Sequence, residues 1–247
     1  MSEAIAKLSP EAQTAFNRLE SVGKARMGTF IIGHNGEPDT IKCSKFFGKT
    51  PCLPEEELFL CDECGEQKHL LVQLYVPSLP PNVQRLLPTE LSDALLVFYY
   101  CLECLPCMGN HLDVKIYHPE DIEKLKYCNI NRDELEEPEI FDSYTTAFTY
   151  DHESLYTYFD NEKIDDQDSD YIVLELDKLR EDSSHSNCYF GGCAHFIQGD
   201  ECPGPNWNLF LNIEEDEWNN FMWGDCGTAQ IWVNSVEPNF VLTWSCS

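Results

Sequence analysis

The chain has 247 residues, 44 of them acidic and 16 basic, for a net charge of −28. Such a charge repels phosphate backbones and anionic lipid surfaces, so nucleic acid and membrane surfaces are not expected partners. No run of 18 apolar residues occurs, and the N-terminus has no basic region followed by an apolar stretch; a cytoplasmic protein with neither membrane span nor leader is expected. In that compartment thiols stay reduced, and thirteen cysteines, an odd number, argue against a pure disulfide framework.

In chain order, residues 8–26 carry the signal of an amphipathic helix. Ser9 can cap it, Pro10 suits its first turn, and Ala12, Ala15, Phe16, Leu19 and Val22 form one stripe. A short strand is expected over 29–32. From residue 46 the pattern turns β-rich. A strand-like run, Leu58-Phe59-Leu60, leads into Cys61-Asp-Glu-Cys64-Gly65. Residues 69–76 read as a strand closed by Pro77, Pro80 and Pro81. Residues 95–100 read as another, leading into Cys101-Leu-Glu-Cys104-Leu-Pro-Cys107, and residues 112–117 alternate as a third.

Two residues between thiolates let one tight turn present both sulfurs to one metal ion. Two such turns can close a tetrahedral Zn²⁺ site. Their separation of 36 residues exceeds the usual spacing but holds a complete strand-loop-strand segment. The expected ligands are Cys61 and Cys64 with two of Cys101, Cys104 and Cys107. Unliganded buried cysteines and disulfides are the alternatives.

Residues 129–182 change character, with 18 acidic and four basic residues. Phe141, Tyr144, Phe148, Tyr150, Tyr156, Tyr158 and Phe159 lie among them and argue against plain disorder. The densest stretch, residues 160–170, contains Asp165, Asp166, Asp168 and Asp170 and lacks the spacing of an EF-hand. A solvated loop is expected there. Strands return at 171–176, 209–213, 229–233 and 241–244.

The halves echo each other. Phe47-Gly48, then 71–75 and 94–98, parallels Phe190-Gly191-Gly192, then 209–213 and 229–233. The expected fold is therefore α+β and β-rich. It has two similar sheet-forming halves from an internal duplication, an N-terminal helix and a zinc-knuckle insertion. The expected units are 1–41 (helix and short strand) and 42–247, the latter divided into a first half 42–128, the acidic segment 129–182 and a second half 183–247.

Cys188, Cys193, His195 and Cys202 lie near the second glycine turn. A second metal site and a Cys193–His195 nucleophile pair are both formally available, although core or turn cysteines fit the irregular spacing better. Gln198-Gly-Asp200 and Trp223-Gly-Asp225 are polar turns in apolar sequence. Turn geometry explains them, and a small-ligand or peptide pocket between them is the functional alternative. No phosphate loop, dinucleotide fingerprint, His-Glu-x-x-His or Gly-x-Ser-x-Gly motif is present.

The pieces Gly191-Gly192, Phe196-Ile-Gln198-Gly199-Asp200, Leu209-Phe-Leu211, Met222-Trp-Gly-Asp225-Cys-Gly227 and Thr243-Trp-Ser-Cys246 resemble the YwqG-like family of uncharacterised proteins, a likeness spanning roughly 42–247. The first half, over about 46–118, also looks like programmed cell death protein 2 and its relatives. There Cys-x-x-Cys-Gly precedes a Leu-x-Gln-x-Tyr strand, and the second cysteine pair is spaced more like Cys101 and Cys107. The first resemblance implies an internal repeat, no established reaction, and association with toxin systems. The second implies a chaperone for a basic client such as a ribosomal protein.

The expected function is a non-catalytic, zinc-containing protein-binding module. An acidic antagonist of the immunity type, directed at a basic protein such as a toxin, is the first reading. A chaperone for a basic client is the second. A small-molecule binder or enzyme using the Gln-Gly-Asp and Trp-Gly-Asp turns is the third.

Overall fold

The computed structural model describes residues 10–31, 39–101, 104, 112–128, 138–150, 152–162, 169–170, 172–174, 176–177, 188–199, 201–215 and 223–247. The first helix, α1 (Pro10–Ser21), buries Leu19. It ends in a Schellman motif: the Lys24 amide donates to the Leu19 carbonyl and the Gly23 amide to that of Glu20. Gly23 takes φ +74° there, which a side chain would strain. The helix is therefore shorter than the apolar stripe suggested, and Val22, beyond its end, is 50% exposed.

Strand β1 (Ala25–Ile31) follows at once. The short strands β2 (Lys45–Phe46) and β3 (Pro51–Cys52) precede the long pair β4 (His69–Tyr75) and β5 (Leu95–Tyr100). One-turn helices α2 (Pro81–Gln84) and α3 (Pro119–Ile122) flank β5 and β6 (Asp113–Tyr117). Next come β7 (Lys126–Tyr127), β8 (Glu139–Ile140), β9 (Tyr144–Tyr150) and α4 (His152–Glu162). The last strands are β10 (Tyr189–Gly191), β11 (Trp207–Glu214), β12 (Thr228–Asn234) and β13 (Phe240–Ser245).

Two sheets carry the fold. One has the order β13-β12-β11-β10-β1-β9 and the other β6-β5-β4-β2-β8, and neighbouring strands pair antiparallel throughout both. A two-stranded piece, β3 with β7, is tied by a disulfide between Cys52 and Cys128, whose Cα atoms are 5.8 Å apart. This bond departs from the expectation that all thiols stay reduced. Between the sheets lies one apolar cluster that includes Phe46, Val72 and Phe98 from the smaller sheet and Phe190, Phe210 and Phe240 from the larger. Aromatic edges join the layers, with Phe98 5.1 Å from Phe240 and Tyr100 5.4 Å from Trp223.

The two four-stranded meanders, β2-β4-β5-β6 and β10-β11-β12-β13, share local features. Phe47 and Gly48 take φ of 53° and 80°; Gly191 and Gly192 take 65° and 80°. Both β4 and β11 carry a register shift, between Leu70 and Val72 and between Leu209 and Leu211. A bulge of this kind turns two consecutive side chains to one face. Leu71 and Val72 enter the central core in one strand, and Phe210 and Leu211 do so in the other. A fully buried amide follows each bulge, Gln73 and Asn212.

Three expectations need correction. The strand expected over 171–176 is helical at its described residues. Ile172, Val173 and Leu176 are buried with Leu19 and Leu155, while Leu174 is 51% exposed. That is helical periodicity; a two-residue period would have buried Leu174 with its neighbours at 172 and 176. The run 58–60 is not a strand and contributes only an isolated bridge from Leu60 to Gln67. Residues 160–170 are not a plain loop, because α4 extends to Glu162 and Ser169–Asp170 are helical. Strand β1 pairs with β10 on one side and β9 on the other.

Trp223 is fully buried in the central cluster. Trp223→Ala should cost about 3–5 kcal/mol through lost transfer energy and the remaining cavity. Urea unfolding checks this, and a cost below about 1 kcal/mol would show that the indole is not a core anchor.

Candidate metal centre

Residues 51–68 run across the outer face of the five-stranded sheet and are well tethered. The Phe59 ring meets Tyr99 edge-on at 5.3 Å, and Lys115 Nζ lies 4.9 Å from the Phe59 centroid. Glu56 accepts hydrogen bonds from the Leu53 amide and the Tyr117 hydroxyl, both at 2.8 Å, and pairs with Lys115 at 2.9 Å. Beneath this cover Leu70, Leu95, Val97, Tyr99 and Tyr117 form an apolar patch.

The covering segment then makes a tight turn. The Cys61 amide donates to the Glu66 carbonyl and the Gly65 amide to that of Cys61, each at 2.8 Å. Cys61 and Cys64 face Cys101 and Cys104, which follow the end of β5. All four sulfurs lie within 4.8 Å of one another, with Cys61–Cys104 at 3.6 Å and Cys64–Cys101 at 3.7 Å. At those separations they are free thiols, not disulfides. Cys61 and Cys101 are buried, Cys104 is half-buried and Cys64 is exposed.

The four thiols are not electrostatically equivalent. Backbone amides, first that of Cys64, hold the Cys61 thiol down to about 6, poised as a thiolate. The Cys104 thiol is pushed up, mainly by its hydrogen bond with Cys64. Burial pushes Cys101 up, although the Cys104 amide opposes it. Each turn therefore directs the amide of its second cysteine at the sulfur of its first. Four soft thiolate donors in this arrangement suit a tetrahedral metal. Cys107 lies outside the described residues.

The other sequence candidates do not assemble a second centre. Cys188 is buried against the Glu214 carbonyl. His195 Nδ1 is 2.9 Å from Glu214 Oε1, and the Cys193 sulfur is directed at the Gly23 carbonyl, 3.5 Å away. Burial pushes Cys193 up to about 11, which makes it a poor nucleophile at neutral pH. Among the described residues, only the four cysteines above meet as metal ligands.

The Trp-Gly-Asp turn is buried only at its indole; Gly224 and Asp225 are exposed, as is Gln198. Both turns are fastened to the chain end. The Ile197 amide donates to Ser245 Oγ at 3.2 Å, and the Asp225 carbonyl accepts from the Ser247 amide at 3.0 Å. Asp200, Asp165, Asp166 and Asp168 lie outside the described residues, and Asp170 is exposed on its helical stretch.

One polar network was not anticipated. Lys45, 0% exposed, donates to Asp39 Oδ1 at 2.6 Å and to the Lys49 carbonyl at 2.8 Å. The Tyr127 hydroxyl donates to the same Asp39 oxygen at 2.7 Å. Burial lowers Lys45, while Asp39 holds it up. Nearby, Gln73 Nε2 donates to the Cys43 carbonyl at 2.8 Å, pinning the chain that enters β2.

Among the described residues, no helix is long and apolar enough to cross a membrane. No curated protein matches the chain. A family model described as a domain of unknown function, DUF1963, matches residues 44–237, from β2 to the turn before β13, and so takes in the first meander, β10 to β12 of the second and all four clustered cysteines. The chain belongs to the DUF1963 family.

Proposed function

We propose that Cys61, Cys64, Cys101 and Cys104 hold one structural Zn²⁺ in a cytoplasmic, non-catalytic protein-binding module directed at a basic protein. For the metal, the sulfur spacing is the support. Zn–S bonds of about 2.3 Å in a tetrahedron put sulfurs roughly 3.8 Å apart, close to the separations found. The zinc clamps residues 51–68 onto β5 and leaves no open coordination position for chemistry. The shared bulges, glycine turns and buried amides support a duplicated unit into which the knuckles were inserted, in keeping with the YwqG-like resemblance.

For the partner, the single carrying observation is the net charge of −28. A field of that size speeds encounter with a cationic surface. The immunity-type antagonist is the reading preferred here, and the basic-client chaperone rests on the likeness to programmed cell death protein 2. The tagged protein should capture basic proteins at low salt and far less of them at moderate salt, as read by mass spectrometry of the bound fraction. Asn at Asp165, Asp166, Asp168 and Asp170 together should slow association with the captured partner several-fold and change dissociation little. Neutral or acidic partners, or an unchanged on-rate, would reduce the acidic segment to a solubilising role.

A further inference from the structure

The outer face of the six-stranded sheet carries a cavity of about 690 Å³, within the range of small-molecule sites. Its lining runs against the composition of the chain. Lys24, Arg26 and Arg85 contribute to it, and no Asp or Glu does, although acidic residues outnumber basic ones by 44 to 16 overall. Among the described residues, none of these three cations forms an ion pair.

The lining is also polarised by strand order. Trp232 is on β12 and Trp207 on β11, whereas Arg26 is on β1, with β10 between. Three strand spacings separate β12 from β1, roughly 14 Å. The β10 part of the floor is Gly191 and Gly192, and the Leu86 side chain packs over Gly191 between the two ends. At the aromatic end, Phe196 stacks on Trp232 with 12° between the rings, and Trp232 Nε1 donates to Thr243 Oγ1 at 2.7 Å. That bond fixes the indole plane. Arg26 is exposed and follows the Schellman turn; Arg85 is exposed just after α2.

We propose that this cavity binds a small phosphorylated molecule with a flat heteroaromatic ring, of the nucleotide class. Three cations lining one cavity suit a group of charge −2 or more better than a single carboxylate, and guanidinium forks match phosphate oxygens bidentately. The half-buried Trp207 indole offers the ring a stacking surface about one ligand length away. Gln198, Trp223 and Asp225 do not line the cavity, so this site is separate from the Trp-Gly-Asp turn and from the metal centre.

Isothermal titration of the metal-replete protein with ADP, adenosine and inorganic pyrophosphate tests it. ADP should bind once per chain. Adenosine, with ring but no charge, and pyrophosphate, with charge but no ring, should each bind at least ten-fold more weakly. The double variant R26A/R85A should weaken ADP at least ten-fold while leaving the melting temperature unchanged, since both side chains are exposed. Absence of ADP binding at millimolar concentration overturns the proposal. So does pyrophosphate binding as tightly as ADP, or ADP binding indifferent to R26A/R85A.

Discussion

Cys101→Ser is expected to release the metal and lower the melting temperature by roughly 8–16 °C, corresponding to about 4 kcal/mol in a chain of this size. Binding energy at a structural zinc is folding energy, because the unfolded chain has no site. Here the loss is partial. The central core of Phe98, Phe190 and Phe210 lies apart from the knuckles, whereas residues 51–68 are held on β5 by Phe59 and the cluster itself and on β6 by Glu56. Calorimetry with and without chelator gives the readout. Chelator should bring the wild type down to the variant and leave the variant where it is. A wild type indifferent to chelator, or a variant still sensitive to it, would contradict the clamp.

Asp39→Ala should cost about 3–5 kcal/mol, because it leaves the Lys45 ammonium buried without its counter-charge. Tyr127 loses its acceptor in the same change. Lys45→Met with Asp39→Ala should recover much of the loss, since an apolar pair of similar volume carries no stranded charge. The pH dependence has a definite sign. Burial lowers Lys45 in the folded state, and removing Asp39 lowers it further. The folded state then binds fewer protons than the unfolded one, so stability rises as pH climbs from the folded value toward the ordinary 10.5. The Asp39→Ala defect should accordingly shrink on going from pH 7 to pH 10 in urea unfolding. A cost below about 1 kcal/mol, or one that grows with pH, would show that Lys45 is not a stranded charge.

The sulfur cluster was legible because Cys-x-x-Cys is local chemistry: two residues fix each half-site, and the strand into Cys101 is announced by its apolar run. The spacing left the choice among Cys101, Cys104 and Cys107 open; Cys101 and Cys104 face the first turn, and Cys107 lies outside the described residues. The β4, β5, β11 and β12 strands were legible for a similar reason, as apolar runs bounded by turns. Strand β9 was missed although Tyr-Thr-Thr-Ala-Phe-Thr-Tyr is rich in β-formers, because its acidic flanks dominated the local composition. The helix around 172–176 was misread because β-branched Ile172 and Val173 outweighed a helical burial period visible only once a partner surface exists. The Asp39–Lys45–Tyr127 network and the cationic cavity leave no local trace at all. Lys24, Arg85, Trp207 and Trp232 meet only because strand order across the larger sheet and the loop after α2 bring them together.

X-ray absorption at the zinc edge, on protein purified without chelator, tests the metal centre most directly. A single zinc per chain with a first shell of four sulfurs at about 2.3 Å is the predicted result. Protein without zinc, or zinc with nitrogen or oxygen in its first shell, would contradict it.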